Sequence, residues 1–297
     1  MKKINWIIDK YLFDEYEDRL FTAIKNSGGN VFFYDDICGK SFKEWISEKF
    51  TKDDIVVFHG SLQHGRQLTH LPIYPGVFMT IDNYECYKYY GYYGEKLLNS
   101  EYLMMGLNDV IRNKYKIEQL TPNFGFADNV VDKKVFIRPS NGYKTFTGQL
   151  ISYTNLESEI NILSKSYGGI DPETLVLISK EQEIEDEYRF IVVDGKVITG
   201  SLYMDNNNRK SFKAYYDKPI DETSDVFKFA QTVANLHQPD KAFTIDICTV
   251  NYGDYKLYKV LEINSFNCAS MYGADYDKIV ESVNNLAIKE YEELFGI

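Results

Sequence analysis

Residues 242–270 read AFTIDICTVNYGDYKLYKVLEINSFNCAS, two runs of β-branched and aromatic residues separated by turn residues at Asn251-Tyr252-Gly253-Asp254. The pattern predicts two strands joined as a hairpin. Side chains alternate faces along a strand. Thr244, Asp246 and Cys248 therefore share one face, and Phe243, Ile245 and Ile247 the other. On the second strand Val260, Glu262 and Asn264 lie opposite Leu261 and Ile263. An unpaired carboxylate among apolar residues is costly. Pairing the strands would gather Asp246, Glu262 and Asn264 into one all-oxygen cluster. Such hard donors suit Mg²⁺, which takes one or two carboxylates and completes its shell with water and substrate phosphates. Two half-buried strands with their polar residues in solvent would carry the same pattern, so both readings stand at this point.

The 297 residues are enough for one large or two modest domains. Hydrophobic (44%) and charged (26%) fractions are those of an ordinary globular chain, whereas 25 Tyr beside 19 Phe and 2 Trp make it rich in aromatics. A net charge of −11 argues against non-specific binding to nucleic acid or an anionic membrane, while leaving room for a local phosphate pocket. Cys38, Cys86, Cys248 and Cys268 are widely spaced and contain no C-x-x-C pair, which reads as reduced thiols in a cytoplasmic protein without a zinc site. The N-terminal MKKINWIIDKYLFDEYED breaks its short apolar run with charge, unlike a signal peptide or a membrane span.

Upstream of the hairpin, strands are expected at 3–8, 31–34 and 55–58, with helices over 14–27 and, behind a Ser41–Glu44 capping box, up to Phe50. This alternation predicts a small parallel α/β domain whose ligand-facing edge lies near His59 to Arg66. His59, His64 and His70 match no common metal spacing and read as a loop of surface histidines. Residues 71–99, with Tyr84, Tyr87, Tyr89, Tyr90, Tyr92 and Tyr93, read either as interdomain packing or as a stacking platform. A helix is expected over 100–113 and a linker at Thr121-Pro122-Asn123.

Residues 134–148, KVFIRPSNGYKTFTG, place Arg138 at the end of a strand and Lys144 in a loop between Gly142 and Gly148. Glycine loops expose backbone N–H groups, and cations on either side would hold a phosphate chain. A solvated hairpin loop would look similar. A further capping box at Thr154–Glu157 predicts a helix to about Lys165, followed by a strand at 175–179 and a polar crossing from Lys180. Residues 187–203 read as a hairpin turning at Asp194-Gly195, with Arg189 opposite Gly200 and room for a ligand above the guanidinium. Glu187 and Arg189 on one face suit an internal salt bridge equally well. Residues 205–213 suggest a polar lid, and helices are expected over 224–236 and 275–295.

The order of these units resembles the ATP-grasp enzymes, and among them a divergent clade in which arginine replaces the lysine of the usual V-K-P strand, here Ile137-Arg138-Pro139. Phage and bacterial members of that clade carry motifs similar to R-P-x-x-G-x-K-x-F-T-G, E-[WY]-R-F-x-V-V-D-G-K-V and V-x-E-x-N-S, and all three stand in this chain. Gly60-Ser61-Leu62, Pro75-Gly76 and Leu97-Leu98-Asn99-Ser100 resemble that family's pre-domain, so the resemblance covers nearly the whole sequence. It implies an α/β (α+β ATP-grasp) fold: a parallel α/β pre-ATP-grasp domain over 1–120, then an ATP-grasp domain with antiparallel sheets over 121–297. That second domain would divide into a small subdomain at about 130–180 and a catalytic subdomain at about 181–297.

The resemblance further implies ATP and two Mg²⁺ ions as cofactors, with Asp246, Glu262 and Asn264 as metal ligands. Arg138 and Lys144 would contact nucleotide phosphates, and Arg189, with Arg138, would serve the transferred phosphoryl group or the acyl substrate. Ser179, Lys180 and Glu181 would form the adenine hinge; Arg112 is the nearest match to the family's upstream phosphate-binding lysine, which has no clean counterpart. The implied activity is an ADP-forming carboxylate–amine ligase acting on small-molecule, peptide or protein substrates through an acyl phosphate, as in peptide modification. The alternative is an ATP-binding assembly factor that ligates nothing, as a eukaryotic member of the clade resembles. Neither reading involves nucleic acid or membrane, both fit the cytoplasm (the host's, if phage-encoded), and neither sets an oligomeric state.

Overall fold

The computed structural model describes residues 3–9, 17–35, 39–120, 133–166, 168–205, 218–252 and 255–296. In chain order its elements are β1 (Ile4–Asp9), α1 (Glu17–Asn26), β2 (Asn30–Tyr34), α2 (Phe42–Lys49), β3 (Ile55–His59), α3 (Leu62–Leu68) and β4 (Tyr74–Gly76). Then come α4 (Cys86–Tyr93), β5 (Tyr102–Gly106), α5 (Lys114–Gln119), β6 (Lys134–Pro139), β7 (Gln149–Ser152), α6 (Leu156–Lys165) and β8 (Leu175–Lys180). The last are β9 (Ile184–Val193), β10 (Lys196–Met204), α7 (Asp225–Leu236), β11 (Ala242–Tyr252), β12 (Tyr255–Ser265) and α8 (Tyr276–Phe295). Packing divides the chain into two units, one comprising Met1–Thr80 and Ile184–Ile297, the other Ile81–Glu183.

The first unit holds a parallel sheet in the order β2-β1-β3-β4 and an antiparallel sheet in the order β10-β9-β11-β12. β1 and β3 are buried along their whole length, as expected where both faces of a parallel sheet are covered. On one face Ile7, Val56 and Phe58 pack against Phe42, Trp45 and Ile46 of α2. On the other, Trp6, Ile8 and Val57 share a core with α1, with Ile279, Val283 and Leu286 of α8, and with Ile191 and Val193 of β9. α8 thus ties both sheets of this unit into one core. Trp6 Nε1 donates to Asn284 Oδ1 at 2.8 Å, which satisfies the buried indole. α2 opens with the Ser41–Glu44 capping box that its sequence predicts.

The second unit is built on an antiparallel sheet in the order β5-β8-β6-β7, with Leu156, Ile160 and Leu163 of α6 packed on Val135, Ile137, Val176 and Ile178. Here the structure corrects the helix expected over 100–113. Tyr102–Gly106 is an edge strand paired with β8, followed by a single 3₁₀ turn at Leu107–Asp109. A short apolar run such as YLMM does not distinguish strand from helix by periodicity, and β8 supplied the partner. α6 forms where expected, but its N-cap is Asn155 without a side-chain bond, so the Thr154–Glu157 capping box is not made. The tyrosine-rich stretch includes α4, whose Tyr89, Tyr90 and Tyr93 are buried against one another, while Tyr87 and Tyr92 are exposed. Those buried rings are core, so of the two readings of this stretch they take the packing one and offer no stacking surface.

The histidines also differ from expectation. His59 is 2% exposed at the end of β3, and His64 lies half-buried on α3; His70 alone is an exposed turn residue. Cys38, the expected linker at 121–123, residues 206–213 of the expected lid, and Gly253-Asp254 of the hairpin turn lie outside the described residues. Among the described residues no helix is long and apolar enough to cross a membrane.

Candidate active site

Asp194 and Gly195 both take positive φ, 48° and 77°, giving the tight turn that an Asp-Gly pair favours. Pairing outward from that turn without interruption would set Arg189 opposite Gly200. A register shift between Val197 and Thr199 changes this: Arg189 faces Ser201, and Gly200 faces Phe190. A Cβ at position 200 would lie 2.3 Å from the Phe190 ring, so the glycine makes room for packing and not for a ligand. Bulges of this kind re-aim strand residues beside active sites.

Strands β9, β11 and β12 then bring three charged residues into register, Arg189 opposite Asp246 and Asp246 opposite Glu262. A second register shift follows directly after the Asp246–Glu262 pair. Farther along β9 the same face carries Ile191 and Val193, which belong to the core under α8. The face changes from apolar to charged at Arg189.

Arg189 grips Asp246 with a bidentate fork, Nε to Oδ1 at 2.7 Å and Nη2 to Oδ2 at 2.6 Å, while Nη1 donates to the Ser270 carbonyl at 3.1 Å. The pair is buried, with Arg189 8% and Asp246 1% exposed. Asn264 Nδ2 bridges the carboxylates, donating to Glu262 Oε1 at 3.0 Å and Asp246 Oδ2 at 3.4 Å. The guanidinium lies 5.6 Å from the Tyr203 ring and 5.1 Å from that of Tyr272, and those two rings stack at 4.7 Å. Tyr203 donates its hydroxyl to Glu187 Oε2 at 2.8 Å. Burial alone would lower the Arg189 pKa, but Asp246 outweighs it and holds the guanidinium above its ordinary value. Burial raises the Tyr203 and Tyr272 phenols, and the neighbouring carboxylates Asp246 and Glu187 add to that.

The sheet brings Asp246, Glu262 and Asn264 together through the register shift beside Asp246; continued from the turn without it, the pairing would set Asp246 opposite Leu261. Among the described residues no group of three or more His, Cys, Asp and Glu side chains is arranged for a metal. The set at hand is two carboxylates and an amide. It fits Mg²⁺ in donor type, since rotating the Asn264 amide would present Oδ1 in place of Nδ2. Arg189 already neutralises Asp246, which any cation bound there would share.

In the second unit Arg138 is half-buried near the end of β6. The loop after it is seated on its own unit: Ser140 N donates to Leu175 O and Cys86 N to Ser140 O, both at 2.8 Å. A Cβ on Gly142 would approach Ile81 O to 2.9 Å, so only glycine fits that close pass. Lys144 is exposed with φ 51°. Of the expected hinge residues, Ser179 is buried and donates to Asn99 Oδ1 at 3.0 Å, Lys180 Nζ reaches Glu101 Oε2 at 2.9 Å, and Glu181 is exposed just past β8. Arg112 sits on a surface turn, its side chain 80% exposed and 3.6 Å from Asp109. It joins none of the other site residues through these contacts. Sequence reasoning missed Tyr203 and Tyr272; Tyr203 shares the hairpin with Arg189, but no local signal marks Tyr272.

Residues 118–282 match the family described as ATP-grasp domain, R2K clade family 2. The chain belongs to the ATP-grasp superfamily. Within it, the R2K clade, family 2, is its family. Among solved structures, D-cycloserine synthetase DcsG is similar at a TM-score of 0.62 and 11% identity, over 96% of this chain and 99% of that one. The D-alanine–D-alanine ligase of Bacillus anthracis is similar at 0.60 and 12%, over 99% of both chains. A RiPP-associated ATP-grasp ligase of Chryseobacterium gregarium, solved with ADP and a leader and core peptide, is similar at 0.59 and 14%, over 97% of both. These likenesses establish the fold, an α/β ATP-grasp fold with parallel and antiparallel sheets. No curated protein matches the chain in sequence.

Proposed function

We propose that this protein is an ATP- and Mg²⁺-dependent carboxylate–amine ligase that activates its acyl substrate as an acyl phosphate and releases ADP. The observation carrying this reading is the cluster of the buried Arg189–Asp246 pair with half-buried Asn264 and Glu262, on a chain whose family is ATP-grasp. Asp246, Glu262 and Asn264 would hold Mg²⁺, two ions in this reading, which supplies positive charge to the transferred phosphoryl group. Arg189, kept cationic and oriented by Asp246 and the two tyrosine rings, would face the phosphoryl group or the acyl oxygen. Arg138 and Lys144 would hold nucleotide phosphates, and Ser179, Lys180 and Glu181 would form the adenine hinge. For Ser179 that role falls to the backbone, because its hydroxyl is buried on Asn99. Arg112 would supply a further phosphate contact. Transfer by this route needs positioning and charge neutralisation, with no nucleophilic side chain.

Residues 121–297 would be the ATP-grasp domain and 1–120 the pre-domain, the family match at 118–282 lying almost wholly within the former. An amino acid or peptide supplies the substrates, and the cytoplasm the setting. Purified protein with ATP, Mg²⁺ and a panel of amino acids and peptides should release ADP. Release of AMP and pyrophosphate would overturn the acyl-phosphate route. Exposed Tyr87 and Tyr92 on α4, 53% and 58% exposed, favour a second reading as an ATP-binding assembly factor. A stoichiometric partner, with no ATP turnover on any substrate, would decide for it.

A further inference from the structure

Beside Arg189 the β9–β10 hairpin carries a hydroxyl that the ligase reading leaves unused. Ser201 stands opposite Arg189 because of the register shift between Val197 and Thr199. Opposed residues share a face, with Cβ atoms roughly 4.5–5.5 Å apart. Ser201 therefore extends the row of Glu262, Asp246 and Arg189 onto the edge strand β10, on the side of Arg189 away from Asp246 and Glu262. It is 0% exposed, and among the described residues its Oγ has no hydrogen-bond partner. A buried orphan hydroxyl is rare in a native fold, because it loses its bonds to water and gains none. Its neighbours on the same face are satisfied: Thr199 Oγ1 accepts from Asp275 N at 3.1 Å, and Tyr203 donates to Glu187.

Arg189 is also incompletely used. A guanidinium has five N–H groups. Among the described residues two of them engage Asp246 and one the Ser270 carbonyl, which leaves one on each terminal nitrogen. Two spare N–H groups and a spare O–H on adjacent strands make a donor set for an oxyanion. Residues 270–275 cross the same face. Ser270 O is tied to Arg189 and Asp275 N to Thr199, and Ser201 borders both anchor points. Midway, Tyr272 takes φ 47°, which a bulky side chain rarely adopts, and its ring lies 4.7 Å from Tyr203 and 5.1 Å from the guanidinium. Strain of this kind collects at ligand clamps. Ala274 N closes the turn on Met271 O at 3.2 Å, and Met271 and Ala274 belong to the core under α8, so the ring can swing from a fixed base.

We propose that Ser201 and the two spare N–H groups of Arg189 bind the carboxylate of the acyl substrate, with the Tyr272 ring as a shutter over them, an inference that rests on the ligase reading. Placement favours the substrate carboxylate over the phosphoryl group. The residues that would hold metal and phosphate lie on the β11 and β12 side of Arg189, and Ser201 lies on the β10 side. The hydroxyl then destabilises the free protein and is satisfied only by the ligand.

Ser201→Ala removes the hydroxyl and little else, so stability and binding should respond in opposite directions. The ligand-free variant should unfold at a higher denaturant concentration than the parent. In full-length protein labelled with ¹⁵N-arginine, the Arg189 side-chain signals should shift saturably with acetate but not with acetamide, which has no anionic oxygen. Ser201→Ala should weaken acetate binding by roughly tenfold or more. A lower unfolding midpoint in the variant, no saturable shift in the parent, an equal response to acetamide, or unchanged acetate affinity in Ser201→Ala would overturn the proposal. Inorganic phosphate binding more tightly than acetate, and lost in the same variant, would overturn the carboxylate assignment in favour of the phosphoryl group. ATP titration of the same preparation separates the two ideas. ATP binding without an acetate response defeats the pocket alone, and an acetate response without ATP binding defeats the ligase reading alone.

Discussion

Two arginines reach their positions by contrasting routes. Arg189 lies mid-sheet, 8% exposed, with its fork closed on Asp246 and its faces against two tyrosines. Arg138 is half-buried at the end of β6, beside a glycine loop and an exposed lysine. A buried charge must be compensated inside the fold, because desolvation is not offset otherwise. A charge at a strand end stays closer to water. The first region therefore couples its chemistry to stability, whereas the second should separate the two.

The strongest way to break that contrast is Asp246→Asn. Losing one partner strands the Arg189 charge, and such losses cost about 3–5 kcal/mol. Chemical denaturation should show that drop, together with loss of Mg²⁺-dependent turnover. Glu262→Gln, at a half-buried position, should abolish turnover with a stability change within about 1 kcal/mol. If Asp246→Asn is as stable as the parent, the ion pair is not the structural element described here.

Acid titration is the second test, because only buried groups should couple strongly to folding. Burial holds the His59 pKa down at about 4. Between pH 6.5 and about 4 the unfolded chain binds a proton that the folded chain refuses, so stability falls as the pH is lowered across that window. The contribution is on the order of 3 kcal/mol. Denaturation midpoints measured from pH 7 to 4 should decline, and His59→Gln should flatten the decline. Lys144→Ala should leave the profile unchanged.

The same contrast explains what was legible in the sequence. The Asp194-Gly195 turn and the Ser41–Glu44 capping box follow from local chemistry. The facing of Asp246 with Glu262 needs more than alternation, because the register shift beside Asp246 sets it. The surroundings of Arg189 were no more legible, because its neighbour on β10 is set by the bulge between Val197 and Thr199 and its ion-pair partner by β11 lying beside β9. The edge strand at Tyr102–Gly106 was hidden for a related reason, its partner being β8, some seventy residues away.

At the other arginine the expected effect falls on the ligand. Arg138→Lys keeps the charge and loses the planar fork. A charge-assisted hydrogen bond contributes roughly 1.5–3 kcal/mol, so ATP affinity should fall by about tenfold or more, and further in Arg138→Ala. Calorimetric titration reads the affinity, and the melting temperature should barely move. Unchanged ATP affinity with an altered melting temperature would make Arg138 structural and erase the contrast with Arg189.

The smallest effect separates backbone from charge at Lys144, whose φ of 51° lies in the left-handed region. A non-glycine residue there costs roughly 1 kcal/mol, and strain of this kind collects at ligand-binding loops. Lys144→Ala removes the cation and keeps the strain. Lys144→Gly removes both, although the unfolded chain gains freedom that offsets part of the relief. The glycine variant should therefore exceed the alanine variant in stability by up to about 1 kcal/mol, read from denaturant midpoints. Both should lose ATP affinity to the same extent, because the ammonium is absent from each. A difference in ATP affinity between them would mean that the backbone at position 144 takes part in binding, and the loop would then resemble Arg189 in coupling its shape to its chemistry.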